Sequence, residues 1–331
     1  GCMMYDIITF GSNTLDVFVK TDSELIEIKN KFGEEELIAY PLGSKIIINE
    51  LEFMIGGGGT NTAVAFRRLG LKTAYVGKIG KDENGLKIFK VLKEEKIDFL
   101  GAVGGVSGYS VILDSIDEDR TILTYRGCNA DLRINEIDLN KLKTKWIYCS
   151  SMLNKSFETL KKIIKYANKN SIKIAFNVNT FLANKGFSYL KAILENINAL
   201  ILNKDEAELI VGKGTIPDLM ERLKLDNMDY VVITDGKKGA HCYDGSNLYF
   251  VKPNKGLKVK ETTGAGDSFA SSFIAGLIMG KSVEDCLRMA IINSESIIQN
   301  YGAKNILLKK SAMMKLLKKD DHKITKKKIN L

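Results

Sequence analysis

The sequence predicts a single α/β domain: a mainly parallel central sheet covered by helices on both faces, with a small β-sheet lid. Three observations carry this reading. Short β-rich runs alternate with helical segments along most of the 331 residues, the rhythm of βαβ units. Two regions, about 17–55 and 104–128, read as strands with no helix between them. No repeat, low-complexity stretch or Pro-rich linker divides the chain, and at 45% hydrophobic it can bury a substantial core.

The buried strands are expected at YDIITF, AYVGKIG, WIYCSS, IKIAFN, ALILN and YVVIT, apolar runs suited to strands covered on both faces. Between them, segments such as SFETLKKIIKYANKN have helical periodicity. The lid strands are expected at ELIAY, KIIINELEF, YSVIL and TILTY, forming a small antiparallel sheet that serves as a lid or as a homodimer surface. In IGGGGTNTAVAFRRLG, four glycines, Gly56 to Gly59, precede a helix from about Thr60 to Leu69, and Gly70 stops it. In VKETTGAGDSFASSFIAGLIMG, Gly264, Ala265, Gly266 and Asp267 stand before a second helix, whose apolar positions include Phe269, Phe273, Leu277 and Ile278.

Composition narrows the function. The formal charge is +9, but nine lysines and two aspartates fall from Asn305 onward. The body is therefore close to neutral, no nucleic-acid partner is expected, and the basic tail 309–331 reads as a solvated end. Five cysteines without a C-x-x-C pair fit a reducing cytoplasm. With only His241 and His322 present, a multi-histidine zinc site or a serine–histidine triad is not expected. No run reads as a signal peptide or a membrane span.

The two glycine clusters carry chemistry. Glycines ahead of a helix let the chain turn tightly, and the free amides of the first turn then make an anion site. Asp267 beside such amides is either a helix cap or a group that accepts a hydroxyl proton during phosphoryl transfer. Four glycines let a ligand lie on the backbone, and Asn61 can both donate and accept, which suits a polyol. GAGDSF is not a dinucleotide fingerprint, because Phe269 takes the third-glycine position. Gly280-Lys281-Ser282 is not a P-loop, because it follows a helix and Ala275 replaces the required first glycine.

Together these segments resemble the ribokinase-like, or PfkB, carbohydrate kinase family. Six stretches match in order: GSNTLD, GGGGTNTAVAFRRLG, RTILTYRGCNADL, LNKDEAEL, VVITDGKKGA and ETTGAGDSFASSFIAG. The resemblance implies a ribokinase-like fold and ATP-dependent phosphorylation of a hydroxyl on a small sugar or sugar-like alcohol. Asp267 would be the catalytic base, with the amides of Gly264, Ala265 and Gly266 as anion hole. Asp16, Gly57, Gly58 and Asn61 would grip substrate hydroxyls. Asn203 and Glu206 would organise ATP and magnesium through water, Thr234 and Gly236 would form the nucleotide loop, and Asn293 would border the adenine pocket.

This chain departs from the family pattern at three places. Glu261 stands where an Asp is usual, so a monovalent-cation site at Glu261 and Gly302 is in question. Thr180 replaces an Arg common in fructose and ketodeoxygluconate kinases, and Thr14 replaces an Asn frequent in ribokinases. The alternatives are a nucleoside kinase with Tyr109, Tyr125 and Phe53 as an aromatic slot, a phosphosugar kinase with Arg120 or Arg126 as clamp, and a non-catalytic sugar or nucleotide sensor.

Overall fold

The computed structural model describes residues 4–21, 24–30, 33–114, 120–254, 256, 264–299 and 307–329. Ten strands form the large sheet. From one edge they run Asp98–Phe99, Thr73–Val76, Tyr5–Phe10, Thr144–Ser150, Lys173–Asn177, Ala199–Asn203 and Tyr230–Thr234, all parallel. Ala240–Tyr243, Asn247–Val251 and Ile324–Lys328 follow as antiparallel strands. The central strands are apolar throughout because both faces are covered, and alternate residues serve two separate cores. Ile147 and Cys149 face one core, while Trp146 and Tyr148 face the other.

Helix Lys155–Lys169 turns Phe157, Leu160, Ile163, Ile164 and Ala167 inward, the i, i+3, i+7 stripe of a surface helix. On the opposite face, helices Gly58–Arg68, Ala265–Ile278 and Val283–Ile298 pack together. A Cβ on Gly276 would lie 2.7 Å from Cys286 Sγ, so the close approach of the last two helices requires glycine. The described cysteines Cys128, Cys149, Cys242 and Cys286 are buried and unpaired.

The lid is a four-stranded sheet in the order Arg120–Tyr125, Gly108–Asp114, Thr14–Thr21, Ile48–Gly56. The expected antiparallel pairing holds for its two outer pairs, while the central pair, Gly108–Asp114 with Thr14–Thr21, is parallel. Its base starts at Thr14, a little earlier than the pattern indicates. Strands Glu24–Asn30 and Gly33–Ala39 form a separate hairpin. The lid is tied to the body at its root. Asn13 N donates to Asn129 Oδ1 at 3.0 Å, and Asn129 Nδ2 donates back to Asn13 O at 2.7 Å.

The basic tail is not a solvated end. Lys310–Lys319 forms a helix that buries Met313, and Ile324–Lys328 adds the edge strand beside Asn247–Val251. Its lysines are tolerated because an edge strand presents them to water. His322 anchors this segment. Its side chain is only 2% exposed, with Nε2 3.0 Å from Glu295 Oε1 and Nδ1 in contact with Asp320 Oδ1. Arg288 lies 3.6 Å from Asp320 Oδ2, and Asn254 N donates to Glu295 Oε1 at 2.8 Å. The Glu295 hydrogen bond, with Asp320 adding to it against the opposing effect of burial, raises the His322 pKa to about 9.

A raised folded-state pKa stabilises the fold fully below the unfolded value of about 6.5 and loses that contribution as pH rises through 9. His322→Gln should therefore lower the melting temperature most near pH 6, and the gap to wild type should narrow by about pH 9.5. Thermal denaturation across that range measures it, and a gap independent of pH would refute the assignment.

Candidate active site

The site lies where the parallel strands end, the edge at which open α/β sheets bind ligands. Ser150 pairs with Asn177, Asn177 with Ile201, and Asn203 with Thr234, so these strand ends share one rim. Helix Gly58–Arg68 begins above it. Its N-cap is Gly57, whose φ of 95° is a left-handed value favouring glycine and whose Cβ would strike Ser12 O. Gly59 N and Thr60 N donate to Ser12 O, and Thr9 Oγ1 donates to Gly59 O. These bonds hold the glycine run against the first strand.

The second helix begins at Ala265 with Gly264 as N-cap, φ 82°. Asp267 is therefore not the cap but the third helical residue, at the position where the first-turn amides lack intrahelical partners. A Cβ on Gly266 would meet nothing within 4 Å, so this turn opens to space. The two glycine clusters, far apart in sequence, meet here: Asn61 Nδ2 lies 3.5 Å from Asp267 Oδ2. A Cβ on Gly58 would sit 4.0 Å from Asp267 Oδ1 and 2.9 Å from Ser150 Oγ.

Asp16 enters from the lid. Its carboxylate accepts from Thr14 Oγ1 at 2.7 Å and occupies the space that a Cβ on Gly56 would need. Asp16 and Asp267 thus border opposite ends of one glycine run. Strand pairing sets the face that Asp16 shares: Ser110 and Met54 lie beside it, with Phe18, Ile112 and Ile122 on the same side. Tyr109, Tyr125 and Phe53 pair with odd-numbered neighbours and occupy the other face. The expected aromatic slot is therefore not built from these three, because side chains alternate with a period of two.

Asn203 and Glu206 cap helix Lys204–Val211 reciprocally: Asn203 Oδ1 accepts from Glu206 N, and Glu206 Oε2 accepts from Asn203 N. Glu206 is buried rather than exposed, at 8%. Burial raises its pKa, against the Asn203 and Thr180 hydrogen bonds, and the negative charges of Asp205 and Asp267 add to the rise. Thr234 ends its strand, and Gly236, exposed with φ 50°, opens the following turn.

Asn293 makes its hydrogen bonds within the protein. It is fully buried, with Nδ2 donating to Ser272 Oγ at 2.9 Å and Oδ1 accepting from Leu308 N at 3.0 Å. Its amide ties two helices to the C-terminal segment. Glu261, Gly302 and the Arg120 side chain lie outside the described residues. Arg126 is half-buried, with its guanidinium 4.5 Å from the centroid of the Phe181 ring.

Tyr148, Asn177 and Ser150 escaped the sequence reading. Tyr148 is fully buried and accepts from Asn177 Nδ2 at 3.1 Å. Burial, aided by the Asp267 charge, pushes its phenol well above the ordinary range. Ser150 shares its face. The available signal was position alone, since a polar residue ending a buried parallel strand faces the binding edge.

Two glycine-led helix starts thus meet at the carboxyl ends of a parallel sheet, with Asp267 in the first turn of one facing Asn61 in the first turn of the other. The model for the pfkB family carbohydrate kinases matches residues 29–310, and the chain belongs to that family. It is an ATP-dependent carbohydrate kinase by class. An uncharacterised sugar kinase of Archaeoglobus fulgidus is 30% identical over 244 residues, 72% of this chain and 95% of the relative. A 5-dehydro-2-deoxygluconokinase of Bacillus licheniformis is 27% identical, covering 75% and 82%. The solved nucleoside kinase of Methanocaldococcus jannaschii, described as an archaeal member of the ribokinase family, superposes with a TM-score of 0.79. It is 21% identical over 97% of this chain and 100% of its own.

The crowding at Gly59 is testable. A Cβ there would lie 2.6 Å from Gly11 C and 2.5 Å from Tyr75 Cε2, so Gly59→Ala should cost about 3 kcal/mol. Urea denaturation measures this, and a loss below about 0.5 kcal/mol would contradict the packing.

Proposed function

We propose that this kinase transfers the γ-phosphoryl group of ATP to a hydroxyl of a small sugar or sugar-like alcohol. Asp267 is the base, and the amides of Gly264, Ala265 and Gly266 are the anion hole. The observation that carries this reading is the meeting of the two glycine clusters, which sets Asp267 beside Asn61 and the open first turn. The acceptor hydroxyl would lie against Gly57 and Gly58, held by Asp16 and Asn61, and would give its proton to Asp267 as the new bond to phosphorus forms. Alignment supplies much of the acceleration in such a reaction, and the amides stabilise charge on the transferred group.

Thr234 and Gly236 are the proposed nucleotide loop. Asn203 and Glu206 would hold magnesium through water, and the ion would offset triphosphate charge. Among sugar readings, a sugar acid has the support of a relative named for 5-dehydro-2-deoxygluconate. The nucleoside reading loses support because Tyr109, Tyr125 and Phe53 lie on the lid face away from Asp16. That face also carries exposed Leu51, Phe53, Leu123 and Tyr125, which suits a second copy of this chain, as a homodimer through the lid.

Asp267→Asn should reduce phosphoryl transfer at least about a thousandfold, the scale of a lost catalytic group, while ATP binding stays near wild type. Coupled ADP release against a panel of pentoses, hexoses, sugar acids, sugar phosphates and nucleosides measures the first, and calorimetry measures the second. Comparable turnover in the variant would remove Asp267 from its role. Glu206→Gln should raise the magnesium concentration needed for half-maximal rate, and an unchanged magnesium profile would exclude Glu206 from the metal site.

A further inference from the structure

We infer that Ser150 is a further substrate-contacting residue, its hydroxyl hydrogen-bonding a hydroxyl of the acceptor; this rests on the kinase reading above. Ser150 ends the strand Thr144–Ser150, paired through Phe10–Cys149 with the first strand and directly with Asn177 on the other side. Its side chain shares the face of Trp146 and Tyr148, the face that supports both glycine-led helices. Ser150 is 6% exposed, and its Oγ is buried without a hydrogen-bond partner. Buried hydroxyls in folded proteins are almost always paired. An unpaired one at a ligand edge leaves a bond for the ligand to make.

That hydroxyl lies against Gly58. A Cβ on Gly58 would fall 2.9 Å from Ser150 Oγ, 3.0 Å from Ser150 Cβ and 4.0 Å from Asp267 Oδ1. Ser150 thus packs directly against Gly58, on the side of that glycine from which Asp267 is also approached. Asn61 provides a second, independent pointer to the same place. It is 9% exposed, its Nδ2 is directed toward Asp267 Oδ2, and its Oδ1 is also buried without a partner. Two unsatisfied polar oxygens flanking one carboxylate are matched by a ligand rich in hydroxyl groups, each able to donate and to accept. In this geometry Asp267 receives the proton of the reacting hydroxyl, while Ser150 and Asn61 hold that hydroxyl or its neighbour on the carbon chain.

A serine in this place also discriminates. A site that hydrogen-bonds a substrate hydroxyl rejects the analogue lacking it, because its own polar group is then left unpaired. Ser150 accordingly acts on the choice of acceptor and leaves the nucleotide half of the site alone.

The test compares wild type, Ser150→Ala and Ser150→Cys with the best acceptor of the panel and with its monodeoxy analogues. Ser150→Ala should lower kcat/KM for the acceptor about tenfold, the scale of one lost hydrogen bond, with KM for ATP close to that of wild type. Ser150→Cys keeps the volume with a weaker donor and should fall between. One monodeoxy analogue should be used equally well by wild type and Ser150→Ala, which a merely structural role would not produce. Equal acceptor constants for wild type and Ser150→Ala, or a uniform loss across all analogues, would overturn the inference. If wild type binds an acceptor without turning it over, the kinase reading falls. Calorimetric binding of that acceptor to wild type and Ser150→Ala then still decides Ser150: weaker binding supports it, and equal binding overturns it.

Discussion

Everything at the site depends on one backbone contact, the approach of Gly59 to Gly11. A Cβ on Gly11 would lie 2.7 Å from Gly59 N, and one on Gly59 would lie 2.6 Å from Gly11 C. With no side chain on either residue, the start of helix Gly58–Arg68 rests on the end of the first strand. Ser12 O accepts from Gly59 N and Thr60 N, and Asn61 is carried to Asp267. A methyl group at either position would lift the helix and separate the two halves of the site. The glycines thus act by removing volume, and the backbone of the facing segment occupies the volume removed.

The lid answers to a different constraint. Its root is held by the reciprocal pair Asn13 and Asn129, and Asn13 Nδ2 also donates to Tyr75 OH and Lys78 O. Asp16 stands shortly beyond this knot, so the angle at which it faces Gly56 is inherited from the body. At the far side, Glu295 joins Asn254 to His322, tying the chain upstream of the Gly264 cluster to the C-terminal segment. The basic tail has a structural task that its charge alone does not suggest.

Local patterns made most of the architecture legible. The parallel strands, the amphipathic helix after Asn154 and the two glycine-led helices all follow from periodicity and glycine placement, because those signals act within a few residues. Asn203 and Glu206 were named only through the family resemblance, and their reciprocal cap emerged in the structure. The tail was misjudged because its lysines outweigh its apolar residues. Met313 and His322 find their partners in the helix Val283–Ile298 and its surroundings, well upstream in the chain. The bonds of Asn293 were illegible for a related reason: a buried amide looks the same in sequence whether its partner is a ligand or Leu308 N.

The amino-acid sequence by itself determined the fold class, the family and the two glycine clusters that start facing helices, because glycine and aspartate at those spacings restrict the backbone wherever they occur. Only the tertiary structure decided which residues share a surface. It set Ser150 and Asn61 around Asp267, turned Tyr109, Tyr125 and Phe53 away from Asp16, and closed Asn293 inside the helix pair. Those outcomes depend on strand register and helix contact between residues far apart in the chain, and a one-residue shift in register would reverse every one that lies on the lid.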